Sequence, residues 1–180
     1  MSVRLSARRA APFVLLLLPL LSACGPNRDQ FAPACPAAGL VPPTGDITLY
    51  RPGSSGHDLV DQVLQGRVLA INGQCREGDR KDKLDVDVTV TFRFTRGASM
   101  HGNAVTVPVF VAVTEGDDVL DKKVYGVDAG FPPNVDQVTR TSAPIHMSIP
   151  VTPTKSGAAY SVVAGFQLTP EQLSAARDRQ

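Results

Sequence analysis

Two aspartates separated by one residue are the clearest candidates for chemistry in this sequence. Asp85 and Asp87 lie in the segment LDVDVTVTFRF, in which apolar and polar residues alternate. Because successive side chains of a β-strand point to opposite faces, both carboxylates would project from the same face. They could bind a cation or the hydroxyl groups of a sugar, but an acid–base pair also needs partners in a concave pocket. We therefore expect a solvated strand face.

A second group of acidic residues lies at a turn. Glu115, Asp117, Asp118 and Asp121 are close together in the segment EGDDVLD and could bind calcium loosely. They lack the D-x-[DN]-x-[DN]-G spacing and the distal glutamate of a dedicated calcium-binding loop. A charged turn is therefore the favoured interpretation.

The histidines and serines lack catalytic or metal-binding spacing. His57, His101 and His146 fall in three separate segments, without the H-x-H, H-x₃-H or H-E-x-x-H patterns of metal sites. We expect these histidines in loops or facing solvent. No G-x-S-x-G or S-x-x-K motif marks a nucleophilic serine. We therefore predict no catalytic residue, no metal ligand and no cofactor, and the sequence indicates a protein that is not an enzyme.

The N-terminal segment has the three-part pattern of an export signal. Residues 1–9 contain three arginines and no acidic residue, residues 10–21 are apolar, and two small residues, Ser22 and Ala23, precede Cys24. The apolar run is shorter than the roughly 20 residues that a transmembrane helix needs. The segment therefore predicts a removable leader.

The stretch Leu21-Ser22-Ala23-Cys24 closely resembles the lipobox of bacterial lipoproteins. This resemblance implies that residues 1–23 are a signal peptide, that Cys24 becomes the lipidated first residue, and that the protein is anchored to a membrane. Two or three acyl chains hold a protein firmly, whereas a single chain binds only marginally. Gly25 follows the cysteine where aspartate would favour the inner membrane in enteric bacteria, so by analogy we expect the periplasmic leaflet of the outer membrane.

The other two cysteines, Cys35 and Cys75, would form a pair in an oxidising compartment. A disulfide between them would stabilise the fold by roughly 3–4 kcal/mol in the chain-entropy model. Two separate buried thiols are the alternative. Cys35 lies within residues 24–46, where five prolines and three glycines predict an extended linker between the anchor and the domain at 47–180.

The charge balance argues against nucleic acid as a partner. Three of the 18 Lys and Arg residues lie in the leader, so that 15 basic residues face 17 acidic ones in the rest of the chain. No basic block is present, and the chain lacks the electrostatic footprint of a protein that binds nucleic acid or an anionic lipid surface.

The polar candidates lie on segments with the two-residue period of β-strands. Residues 84–94 alternate most regularly, and the valine-rich segment 104–114 suggests a central strand that is an edge or a bulge at Pro108. A turn at residues 116–118 and a strand at about 119–127 would complete a hairpin. Its Lys122 and Lys123 fit an exposed face or a guarded edge.

Four further strands are expected, at about 47–50, 62–76, 135–149 and 158–168. Asn72-Gly73 within the second of these indicates either a bulge or a tight turn. Near the C-terminus, Thr169, Pro170 and Gln172 form a capping box that predicts one or two helical turns.

This pattern predicts an all-β fold, an antiparallel two-sheet sandwich of immunoglobulin or fibronectin type III style. It would have about seven strands and a short C-terminal helical turn, with a small β-barrel as the alternative.

Together the lipobox, the strand-rich middle and the terminal GFQLTPEQL resemble small envelope lipoproteins of alphaproteobacteria. That resemblance implies a location and no mechanism. We expect a non-enzymatic module that contacts a periplasmic protein partner. A module that binds peptidoglycan, another polysaccharide or a cation is the alternative, and a hydrolase is a third, less favoured one.

Overall fold

The structure is a computed structural model, and it describes residues 34–54 and 58–178. The expected signal peptide, the expected lipidation site at Cys24, residues 24–33 of the expected linker and His57 lie outside the described residues.

The described residues form nine β-strands and one α-helix. The strands are β1 (Ala37–Leu40), β2 (Asp46–Tyr50), β3 (Gln62–Glu77), β4 (Lys83–Arg96), β5 (Ala104–Glu115), β6 (Asp118–Gly130), β7 (Gln137–Thr141), β8 (Ile145–Pro150) and β9 (Ser161–Phe166), and the helix is α1 (Pro170–Arg177). One sheet has the order β1-β9-β5-β6. The other has the order β2-β3-β4-β7, with β8 also paired to β4. The predicted all-β fold with two sheets and a short C-terminal helix is confirmed, with nine strands in place of about seven.

The regular alternation of β4 places its apolar residues in the core between the two sheets. Leu84, Val86, Val88, Val90, Phe92 and Phe94 are each at most 3% exposed. The ring of Phe166 on β9 lies 5.4 Å from that of Phe92 and 6.2 Å from that of Phe94. Gly66 on β3 leaves room for these rings, because a Cβ there would lie 2.9 Å from Phe166.

The valine-rich strand β5 is central in its sheet, as expected, and Pro108 lies one residue beyond the end of the ladder with β9, so it is at an edge at that point and not at a bulge. β5 pairs with β6 on one side and with β9 on the other, and its irregularity lies between Val113 and Thr114. The Pro108 carbonyl accepts a hydrogen bond from Gln167, just beyond the last β9 residue. Because the N–H and C=O of a strand residue point to the same side, the missing N–H falls where the ladder has ended.

The segment expected to be a linker contains a strand. β1 pairs in parallel with β9, from Ala37 opposite Ser161 to Leu40 opposite Ala164. Four residues rich in Ala and Gly carry no strand period of their own, so this strand exists only because β9 offers a free edge. The β-sheet domain therefore begins earlier than the expected residue 47.

Pairing with β4 decides the course of two of the expected strands. Asn72-Gly73 is neither a turn nor a bulge, because β3 pairs with β4 continuously past it and is irregular only between Val68 and Ala70. The expected strand at 135–149 is two strands, because Pro144 lacks the N–H needed to continue the ladder. β7 and β8 pair one after the other along β4.

Cys35 and Cys75, the cysteines expected to pair, are joined as a disulfide with their Cα atoms 5.9 Å apart. Cys35 immediately precedes the β1 region, and Cys75 lies on β3. The bridge therefore links the segment just before β1, a strand of one sheet, to β3, a long strand of the other.

The C-terminal helix begins with the expected capping box. The backbone N–H of Gln172 donates to the Thr169 hydroxyl, and the Gln172 side chain accepts from the Thr169 N–H. Among the residues that the structure describes, no helix is long and apolar enough to cross a membrane.

Candidate functional site

The outward-facing side of the five-stranded sheet carries the candidates Asp85, Asp87 and His146, and we call it the polar face. Its residues come from the outward positions of β2, β3, β4, β7 and β8. It includes an ionic cluster at Asp87 near one end of β4 and a groove at Arg93 near the other end.

The ionic cluster joins the two aspartates of the sequence prediction to His146. Strand β8 pairs with β4 so that His146 lies directly opposite Asp87. Nδ1 of His146 is 3.1 Å from Oδ1 of Asp87, and its Nε2 is 3.7 Å from Oδ1 of Asp85. Arg76 on β3 donates a hydrogen bond to the other carboxylate oxygen of Asp87. Sequence reasoning missed this meeting of His146 with the aspartates.

The charge on Asp87 is stabilised by its neighbours. The hydrogen bond from Arg76, followed by that from His146, lowers the pKa of the Asp87 carboxyl below its ordinary value. A carboxylate whose two oxygens already have partners is a poor proton acceptor, so the cluster acts as an ion-paired network on a strand face. Within residues 34–54 and 58–178, no group of three or more His, Cys, Asp or Glu side chains is arranged to hold a metal ion.

The acidic hairpin and the remaining histidine stay apart from this cluster. Glu115 forms an ion pair with Lys155, whose Nζ is 2.5 Å from its carboxylate. Asp117, Asp118 and Asp121 are exposed, and His101 is exposed in the segment between β4 and β5. The hairpin is the charged turn that the sequence predicts.

The groove near the other end of the polar face is a cavity with a volume of about 470 Å³. Its lining is almost entirely polar and contains no aromatic side chain. The polar residues are Asp46, Thr48, Gln65, Arg67, Arg93, Thr95 and Gln137. Ile47 and Gly66 complete the lining.

Two arginines face each other in this groove. Arg67 on β3 lies directly opposite Arg93 on β4 in the register of the two strands. Nε of Arg67 is 2.6 Å from Oδ1 of Asp46, and this hydrogen bond raises the pKa of the Arg67 guanidinium. Arg93 forms no ion pair or side-chain hydrogen bond with any residue in the described part of the chain. Like charges directly opposite each other weaken a strand pair, so the fold itself does not explain this arrangement.

A second feature, which we call the seam, separates β6 from β7 and β8. No backbone hydrogen bond joins these strands within the described residues. Two side chains span the gap instead, since Lys123 donates to the His146 carbonyl at 2.7 Å and Arg140 donates to the Gly130 carbonyl. Between them lies a cleft of about 280 Å³, lined by residues 125–128 and 140–145.

The β6 backbone is therefore open along the seam. β6 is 13 residues long, and among the strands that the structure describes it pairs with β5 alone. Tyr125 and Val127 on its inner side pack against the core, and Ile145 across the seam is buried. A long strand edge above apolar side chains has the features of a site for strand addition.

Comparison with protein-family models, with curated proteins and with solved structures gave no match for this chain.

Proposed function

We propose that this protein is a lipid-anchored, non-enzymatic interaction module of the bacterial cell envelope, which binds an extended segment of a periplasmic protein along the seam. The seam is the observation that carries the proposal. The lipobox-like stretch at Cys24 supports the anchor, and the pairing of Cys35 keeps the domain close to it. The intervening ten or so residues reach about 35 Å when fully extended.

The partner segment would add a strand to β6. An extended peptide binds an open sheet edge through backbone hydrogen bonds, and its alternate side chains provide specificity. Along the cleft those side chains would contact Tyr125, Val127 and Ile145, so the matching segment is apolar at every second position.

The two side chains that span the seam define the ends of that segment. Lys123 and Arg140 are cationic and now bind backbone carbonyls, His146 O and Gly130 O. Acidic residues flanking the apolar part of the partner would give them better acceptors, since hydrogen bonds between charged groups are stronger. Lysines on an edge strand also discourage pairing between copies of the same sheet.

Site-specific photocrosslinking in intact cells tests this proposal. A photoreactive residue in place of Ala143, which lines the seam, should capture a defined envelope protein. The same residue in place of the exposed Ala98, in the loop after β4, is the matched control and should not capture it. Arg140→Glu should lower the yield of the crosslinked product formed from position 143. Arg80→Glu changes an arginine in the turn between β3 and β4, away from the seam, and should leave that yield unchanged.

The anchor is tested in the same cells. Cys24→Ala should move the protein from the membrane fraction to the soluble fraction and reduce the crosslinked product. Identical products from Ala143 and Ala98, or a protein that stays on the membrane without Cys24, would contradict the proposal.

A further inference from the structure

We infer that the groove at Arg67 and Arg93 binds a saccharide that carries a single carboxylate. The inference rests on the polar face and is independent of the seam and of the lipid anchor.

The charges of the groove select a singly charged anion. Asp46 is paired with Arg67 at 2.6 Å, so the two arginines and this aspartate leave one positive charge uncompensated. That charge belongs to Arg93, which has no partner in the part of the chain that the structure describes. A guanidinium group matches the two oxygens of a carboxylate, and Asp46 would repel the second charge of a phosphate.

The neighbouring residues offer hydrogen bonds suited to hydroxyl groups. Thr48, Gln65, Thr95 and Gln137 lie side by side across four strands, because each is opposite the next in the strand register. Three strand spacings make this row roughly 14 Å long. It lies two residues along the strands from the Arg67–Arg93 pair, which places it about 7 Å from the charge.

The amide groups in this row have unused acceptors. The Gln65 amide N–H donates to Gln62 at 2.9 Å, and the Gln137 amide N–H lies 3.5 Å from the Thr95 hydroxyl. No hydrogen bond to the carbonyl oxygen of either side chain occurs within the described residues. Both oxygens can therefore accept from sugar hydroxyls.

The shape and the lining exclude other recognition modes. A volume of about 470 Å³ is within the range of small-molecule sites. Because no aromatic ring lines the groove, it offers no stacking surface for a nucleobase or for the apolar face of a neutral sugar. Charge and hydroxyl contacts remain as the basis of recognition.

The opposed arginines are also the kind of local conflict that marks a functional site. A sequence selected only for stability would avoid two guanidinium groups opposite each other on neighbouring strands. Removal of Arg93 should therefore weaken binding without weakening the fold, which distinguishes a ligand-binding residue from a structural one.

Calorimetric titration of the full chain, purified in detergent, tests the inference with galacturonic acid, a sugar with one carboxylate, as the probe. We expect measurable binding, a loss of at least about 10-fold in affinity for Arg93→Gln, and a smaller loss for Arg93→Lys, which keeps the charge but not the forked geometry. Gln137→Ala should weaken binding by several-fold. Arg80→Gln removes the same charge outside the groove and should bind as the wild type does. The melting temperature of Arg93→Gln should equal or exceed that of the wild type.

Two matched probes measure separately how much the carboxylate and the sugar contribute to the affinity. Galactose, the neutral counterpart, and acetate, which lacks the sugar, should each bind at least about 10-fold more weakly than galacturonic acid. The inference is overturned if galacturonic acid does not bind at about 10 mM, if galactose or inorganic phosphate binds equally well, or if Arg93→Gln retains full affinity.

Discussion

The two faces of β4 differ in what holds their side chains in place. The inward face packs into the core, where all six of its apolar residues are at most 3% exposed. The outward face relies on hydrogen bonds and ion pairs between neighbouring strands, such as Thr91 with Thr141 and Asp87 with Arg76. Burial contributes far more free energy than exposed polar pairs do. The inward face therefore determines the fold, and the outward face is free to carry residues that serve a ligand.

The largest difference in the free energy of unfolding is expected between substitutions of Phe92 and of its neighbour Thr91. Phe92→Ala would leave a cavity beside Phe94 and Phe166 and should lower the free energy of unfolding by about 3–5 kcal/mol. Thr91→Ala removes only an exposed hydroxyl contact with Thr141, worth about 0.2–1 kcal/mol. Urea denaturation of both variants measures the difference. Equal losses in the free energy of unfolding would mean that the two faces of β4 contribute equally to stability.

The disulfide should have the next largest effect, because it ties β3 to the segment before β1. Cys75→Ser should lower the free energy of unfolding by about 2–4 kcal/mol. Cys35→Ser and the reduced wild-type protein should lose the same amount, as measured by denaturation with and without reductant. A variant as stable as the oxidised wild type would show that the short strand β1 needs no tether.

The ionic cluster on the outward face should have the smallest effect, and one that depends on pH. Arg76 and then His146 lower the pKa of Asp87, so the stabilisation is present above the carboxyl's ordinary pKa and is lost as the pH falls through its lowered value. Asp87→Asn should therefore melt slightly below the wild type near neutral pH, and the difference should vanish in strong acid.

Thermal melts of wild type and Asp87→Asn across this pH range measure the effect. Asp117→Asn, on the hairpin turn, is the control, since Asp117 has no ion-pair partner in the described residues. The stabilising role of the ion-paired Asp87 would be contradicted if Asp87→Asn changed the melting temperature by the same amount at every pH. It would also be contradicted if both variants showed the same dependence of melting temperature on pH.

Elements with a strong local pattern could be predicted well. The alternation of residues 84–94 identified β4, the Gly116 turn identified the β5–β6 hairpin, and Thr169 and Gln172 identified the start of α1. Each of these signals lies within a dozen or so consecutive residues. β1 has no such signal, because its four residues become a strand only through pairing with β9.

The candidate sites depended on contacts that the sequence alone could not reveal. Asp87 and His146 are 59 residues apart, and Asp46 and Arg67 are 21 apart. Their meeting depends on strand register, and a shift of one residue would turn each side chain to the opposite face.

Residue type and short-range order were enough to predict the strand periods, to favour a disulfide between the two cysteines left after Cys24, and to indicate an export signal. Which polar side chains share a site depended on the tertiary structure. The opposition of Arg67 to Arg93, the row of Thr and Gln beside them and the open seam at β6 all arise from long-range strand pairing. That pairing is governed by the fit of the whole core.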